Sequence, residues 1–169
     1  MNRRLLPRAL ALLLMALTGC SDVAPPPPPR EPPRDARGYY CSMSLWEHAG
    51  PRGQVFIEGR PEPLWFSSVR DALSYRFTEG ETLRVQAFYV SDMGRAHWDN
   101  PQPGTWMAAE KGFFVTGSKK GGGMGGQELI PFGTRQQAEA FALEYGGAIK
   151  EYRELSLDDL PTEPPPSPP

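Results

Sequence analysis

The 169-residue chain predicts an α+β protein: two ββαβ repeats forming one compact small domain, with proline-rich disordered segments at both ends. Three observations carry this expectation. Proline crowds the two ends, from Pro25 to Pro29 and from Pro161 to Pro169. Between them, alternating strand-like runs flank stretches of helical period. The order strand, strand with an aromatic end, Ser/Thr cap, helix, strand then occurs twice.

In the first half, Gln54 to Gly59 reads as a strand, and Glu62 to Ser68 as a second strand that ends in a serine N-cap. Val69 to Phe77 follows as a short helix, with Val69, Ala72, Leu73 and Phe77 on one face. Leu83 to Val90 closes the half as a strand, with Val85, Ala87 and Tyr89 alternating with Arg84, Gln86 and Phe88.

The second half repeats this order. Gly112 to Gly117 and Glu128 to Phe132 are predicted strands, and Thr134 caps a helix that runs to Tyr145. Ala138, Phe141 and Ala142 form its apolar stripe, and Gly146-Gly147 stops it. Ala148 to Leu155 is the expected closing strand. Leu64-Trp65-Phe66 and Ile130-Pro131-Phe132 mark corresponding positions in the two halves.

The chain begins with a targeting pattern. Arg3, Arg4 and Arg8 precede nine apolar residues, Ala9 to Leu17. Nine helical residues reach only about halfway across a bilayer core, so residues 1–19 read as a signal peptide. Leu17-Thr18-Gly19-Cys20 resembles a bacterial lipobox, in which the cysteine is lipidated and becomes the new N-terminus. Several acyl chains anchor durably, at about 0.8 kcal/mol per buried methylene. An ordinary secreted protein with a Cys20–Cys41 disulfide is the competing account. Residues 20–38 read as a proline-rich membrane tether, since proline fixes φ and favours an extended polyproline course. Residues 39–155 are the expected globular domain, with halves at about 39–93 and 105–155, and 156–169 is a tail. Removing Arg3, Arg4 and Arg8 changes 18 basic and 20 acidic residues to 15 and 20, a net charge of −5. No nucleic-acid footprint is present in that balance.

With Cys20 lipidated, Cys41 has no partner in its own chain, which is unusual in an oxidising compartment. If Tyr39 to Leu45 is extended, Cys41 and Met43 share a face and present a thiol and a thioether together. Sulfur donors of this kind select soft ions such as Cu(I) over magnesium or calcium. Core packing is the alternative, because both residues are soft apolar fillers. Met124 stands in Gly121 to Gly126 with glycines on both sides, where there is little core for it to join, and is expected to meet Cys41 and Met43. His48, His97 and Met93 are further candidate ligands; the histidines have an equally simple reading as surface or hydrogen-bonding groups. Asp92, Asp99 and Glu47 show no spacing suited to acid/base work. The glycine run lacks the Lys-Ser/Thr of a phosphate loop, and no serine stands in a nucleophile elbow. The chain is therefore expected not to be an enzyme.

Cys41-Ser42-Met43-Ser44-Leu45, Glu47-His48, Gly50 to Gln54, Leu64-Trp65-Phe66, Arg70-Asp71, Tyr89 to Gly94, Gly117-Ser118, Gly123-Met124-Gly125, Pro131-Phe132, Ala138 to Phe141 and Gly146-Gly147 together resemble the NosL family of lipoprotein copper chaperones. The resemblance covers Tyr39 to about Leu155 and agrees with two ββαβ halves. It implies that Cys41, Met43 and Met124 bind Cu(I) for delivery to nitrous oxide reductase, through an ABC-type membrane maturation complex. The family usually has glycine where this chain has Ser42. A lipid anchor on the periplasmic side of a bacterial membrane is implied as well, and Ser21, in place of aspartate, favours the outer membrane. Two rival readings are an organomercurial-lyase-like enzyme, which needs a second cysteine, and a structural lipoprotein whose sulfurs only pack.

Overall fold

A computed structural model describes residues 25–160. The expectations for the signal peptide, for Cys20 and for the tail beyond residue 160 fall outside the described residues. Both ββαβ halves are present. β1 (Gly53–Ile57), β2 (Leu64–Phe66), α1 (Val69–Phe77) and β3 (Val85–Ser91) form the first. β5 (Phe113–Thr116), β6 (Ile130–Phe132), α2 (Arg135–Tyr145) and β7 (Ala148–Glu151) form the second. The sheet orders β2-β1-β3 and β6-β5-β7 correspond, and all pairings are antiparallel.

Both helices begin where their caps predict. The Ser68 hydroxyl accepts from the Asp71 amide at 3.0 Å, and the Thr134 hydroxyl from the Gln137 amide at 3.3 Å. Gly146, with φ of 72°, ends α2 in a conformation that L side chains rarely adopt.

Three elements differ from the sequence pattern. A β-bulge at Gln86 breaks the β1–β3 register between Phe56 and Ile57, so strict alternation along β3 fails. Phe88 and Val90 are the buried core residues of β3, while Val85 is only partly buried against the same core. The last strand stops at Glu151 rather than Leu155. There Glu151 and Glu154 cap a 3-10 turn, Tyr152–Glu154, which carries Tyr152 towards Phe88 and Phe114. Finally, β4 (Trp106–Ala108), expected within the second half and with no strand assigned to it, pairs instead with β3 and extends the first sheet.

β5 separates two cores. Phe114 joins Val55, Phe66, Leu73 and Phe88 in the larger one, whereas Val115 joins Ile130, Phe132 and Ala138 beneath α2. This is period-two alternation with both faces covered.

The outer face of the first sheet is covered too, which is why all five residues of β1 are buried. From Pro27 onward the proline-rich stretch lies against it. A polyproline-like course leaves its own carbonyls unpaired. Those of Pro27, Arg30 and Pro33 accept from Tyr89, Gln54 and Trp46 side chains. The ordered fold therefore starts upstream of Tyr39.

Candidate metal centre

Cys41 lies on a closed turn. Residues 36–38 and 43–45 run beside each other: the Leu45 amide donates to the Ala36 carbonyl at 2.9 Å and the Gly38 amide to the Met43 carbonyl at 3.0 Å. The Ser42 amide then donates back to the Gly38 carbonyl at 2.8 Å. Ser42 has φ of 57°, the one positive value at a non-glycine residue among the described residues. The extended course expected for Tyr39 to Leu45 is thus replaced by a turn, and simple alternation does not relate Cys41 to Met43. A left-handed residue between them also accounts for glycine being usual at this position in the family that the sequence resembles.

Among the described residues the thiol is free, and it is partly buried. Its Sγ lies 3.5 Å from the Ser67 hydroxyl, at the end of β2. Gly38 makes room for both groups, since a Cβ there would stand 2.5 Å from the thiol and 2.6 Å from the hydroxyl. Around the turn, Tyr39, Tyr40, Met43 and Trp46 are each 40–45% exposed. Tyr40 donates to Glu79 at 3.0 Å, and burial together with the Glu79 carboxylate pushes its phenol up to about 12.

Met124 stands on a second closed turn. Gly121 and Gln127 form a bridge, the Gly125 amide donates to the Gly122 carbonyl at 3.0 Å, and Gly125 and Gly126 have positive φ. The glycine run is therefore a built hairpin. Gly123 presses on the backbone of Ala49, where any side chain would collide, so this turn is seated beside His48-Ala49-Gly50.

At the foot of this turn, Glu128 is fully buried. Its Oε1 accepts from the Arg70 amide at 2.8 Å and the Leu129 amide at 2.9 Å. Burial raises its carboxyl to about 8, against the lowering pull of those two amides and of the Arg70 charge. Cys41 touches Ser67, and Glu128 binds Arg70, so both turns attach to the short junction between β2 and α1. Cys41 and Met124 thus stand on two separate turns.

The remaining candidates have separate surroundings. His48 is partly buried, and its Nε2 lacks a hydrogen-bond partner among the described residues. His97 is exposed on a turn stabilised by its own amide donating to Gln102 at 3.0 Å. Met93 packs against the core under α2. Among the described residues no group of three His, Cys, Asp or Glu side chains forms a metal cage. The sequence reading missed Gly38, Ser67 and Glu128. The paired Ser67-Ser68 was a usable signal, because only one of the two serines is needed as the cap. Nothing local marks Glu128.

Fold and site define a duplicated ββαβ binding domain with soft donors on surface turns. The profile of the NosL family matches residues 29–160. A copper-binding lipoprotein NosL of Achromobacter cycloclastes is 43% identical over 154 residues, covering 89% of this chain and 77% of the relative. A copper-binding lipoprotein NosL of Stutzerimonas stutzeri is 30% identical over 147 residues, covering 85% and 76%. The crystal structure of the copper chaperone NosL from Shewanella denitrificans superposes with a TM-score of 0.71 at 28% identity, covering 78% of this chain and 99% of that one. The solution structure of apo-NosL from Achromobacter cycloclastes gives 0.50 at 42% identity, covering 66% and 91%. The chain belongs to the NosL family. These relatives are described as copper-binding or chaperone proteins, not as enzymes.

Proposed function

We propose that this protein is a lipid-anchored metallochaperone that carries Cu(I) as cargo on Cys41, Met43 and Met124. The observation that supports this most is the free Cys41 thiol on a turn that also presents an exposed methionine. A thiolate and thioethers suit a monovalent soft ion at low coordination number. His48, whose Nε2 lacks a hydrogen-bond partner among the described residues and whose neighbour Ala49 packs on the Met124 turn, is the best placed of the auxiliary ligands.

A partly open site lets an incoming ligand attach before an outgoing one leaves. Copper then moves by stepwise exchange and is never free in solution. The recipient in this reading is nitrous oxide reductase, reached through an ABC-type membrane complex. Lipid on Cys20 holds the protein on the periplasmic side of the membrane, with the outer membrane favoured by Ser21.

The test is anaerobic Cu(I) titration of the chain after Cys20, following thiolate-to-copper absorption. Wild type is expected to saturate near one equivalent, Cys41→Ser to give no signal, and Met124→Ile to hold copper more weakly with its fold intact. An equal response in Cys41→Ser, or none in wild type, rejects the site. Transfer to the reductase complex, measured separately, tests the recipient.

A further inference from the structure

We propose that residues 27–36 are a strap whose docking on the first sheet fixes the Cys41 turn, making Glu31, Gln54 and Tyr89 positioning residues for copper retention. The copper part of this rests on the function proposed above. The ordering of the turn does not.

Gln54 is the clearest sign. It lies on the outer face of β1 and is fully buried, where an unpaired amide is costly. Its Oε1 accepts from the Arg30 amide at 2.9 Å and its Nε2 donates to the Arg30 carbonyl at 3.0 Å. One side chain thus pairs with the strap as a neighbouring strand would. Tyr89 donates to the Pro27 carbonyl at 2.7 Å. The Glu31 carboxylate accepts from the Gly104 amide at 2.8 Å and from the Trp106 indole at 3.4 Å. The Arg30 guanidinium lies 5.6 Å from the Phe56 ring centre and 3.0 Å from the Glu62 carboxylate.

The strap then becomes part of the turn without a break. Residue 36 ends the strap and opens residues 36–38, the first arm beside Met43 to Leu45. The strap holds the second arm as well, because Trp46, one residue beyond it, donates to the Pro33 carbonyl at 3.0 Å. Arg37 adds a bond to the Ser42 carbonyl at 2.9 Å. Fixing both arms limits the conformations open to Cys41 and Met43, so docking lowers the ordering cost of holding an ion between them. Undocking returns that freedom and favours release.

The experiment compares the full chain, purified in detergent, with the double variant Glu31→Ala/Tyr89→Phe and with Gln54→Ala. Amide exchange is followed at Gly38, Ser42 and Leu45, and Cu(I) loss is followed to a colorimetric chelator. Both variants are expected to exchange these amides faster and to lose copper about tenfold faster. Near-UV circular dichroism of the double variant should match wild type, and Glu31→Gln in place of Glu31→Ala should recover part of the wild-type copper retention, because the amide oxygen still accepts. Unchanged amide exchange in the turn, with strap amides already released, overturns the coupling. Faster exchange with unchanged copper loss overturns the positioning role. If wild type holds no Cu(I), the function proposed above fails, and the turn amides still decide whether the strap orders the turn.

Discussion

Gly38 lies directly against Cys41: a Cβ on Gly38 would stand 2.5 Å from the thiol sulfur. Gly38 is not among the residues with positive φ, so alanine is acceptable to the backbone and only the side-chain contact forbids it. Gly38→Ala is therefore expected to keep the fold and displace the thiol or Ser67. Chelator competition should show Cu(I) held about tenfold more weakly, with less than about 2 kcal/mol lost in urea unfolding.

Ser42 carries the strain of the turn. A left-handed conformation costs a non-glycine residue roughly 1–2 kcal/mol, while glycine returns part of that through its freer unfolded chain. Ser42→Gly should stabilise the protein by about 0.5 kcal/mol in urea unfolding, with unchanged copper stoichiometry. A loss of stability would show that the serine hydroxyl contributes more than its backbone costs.

Glu128 gives a pH dependence of definite sign. Its carboxyl is raised from 4.5 to about 8 by burial, so across that window the folded state holds a proton that the unfolded state has released. Stability is full below the lower value and falls as pH rises through the window, by at most about 1.4 kcal/mol per pH unit. Glu128→Gln keeps an oxygen acceptor for the Arg70 and Leu129 amides without the ionisation. Its urea midpoint should change less between pH 5 and pH 8 and exceed that of wild type at pH 8. Parallel pH profiles would place the raised carboxyl elsewhere.

Asp92 joins the halves. It is buried, and its Oδ1 accepts from Gly94 at 3.0 Å and from Gly133, at the start of the β6–α2 connection, at 2.9 Å. Asp92→Ala is expected to cost about 2 kcal/mol in urea unfolding, through the amides left without an acceptor. Faster amide exchange should appear at Gly133 and at Met93, whose amide donates to Pro131 across the same seam.

The repeat was legible because its signals are local. Ser68 and Thr134 cap helices whose first turns follow at once, and Ala138 with Phe141 and Ala142 spells one face of α2 within five positions. The Cys41 turn was less legible. Its shape depends on residues 36–38, which read as tether by composition, and on Ser42 adopting a conformation that serine seldom signals. The glycine run likewise looked loose, because sequence does not reveal that Gly123 packs on Ala49.

The sequence alone determined the two ββαβ units and the helix boundaries, and it offered Cys41, Met43 and Met124 as candidate soft donors. These depend on residue type, periodicity or short spacing, which the chain expresses within a few residues, while the family resemblance rests on an ordered set of short motifs. Tertiary structure decided the rest. Arg30 pairs with Gln54 across 24 positions, Cys41 meets Ser67 across 26, and Arg70 finds Glu128 across 58. Such contacts exist only once the sheets bring distant segments together. A buried polar group must then be satisfied by whatever the fold places beside it.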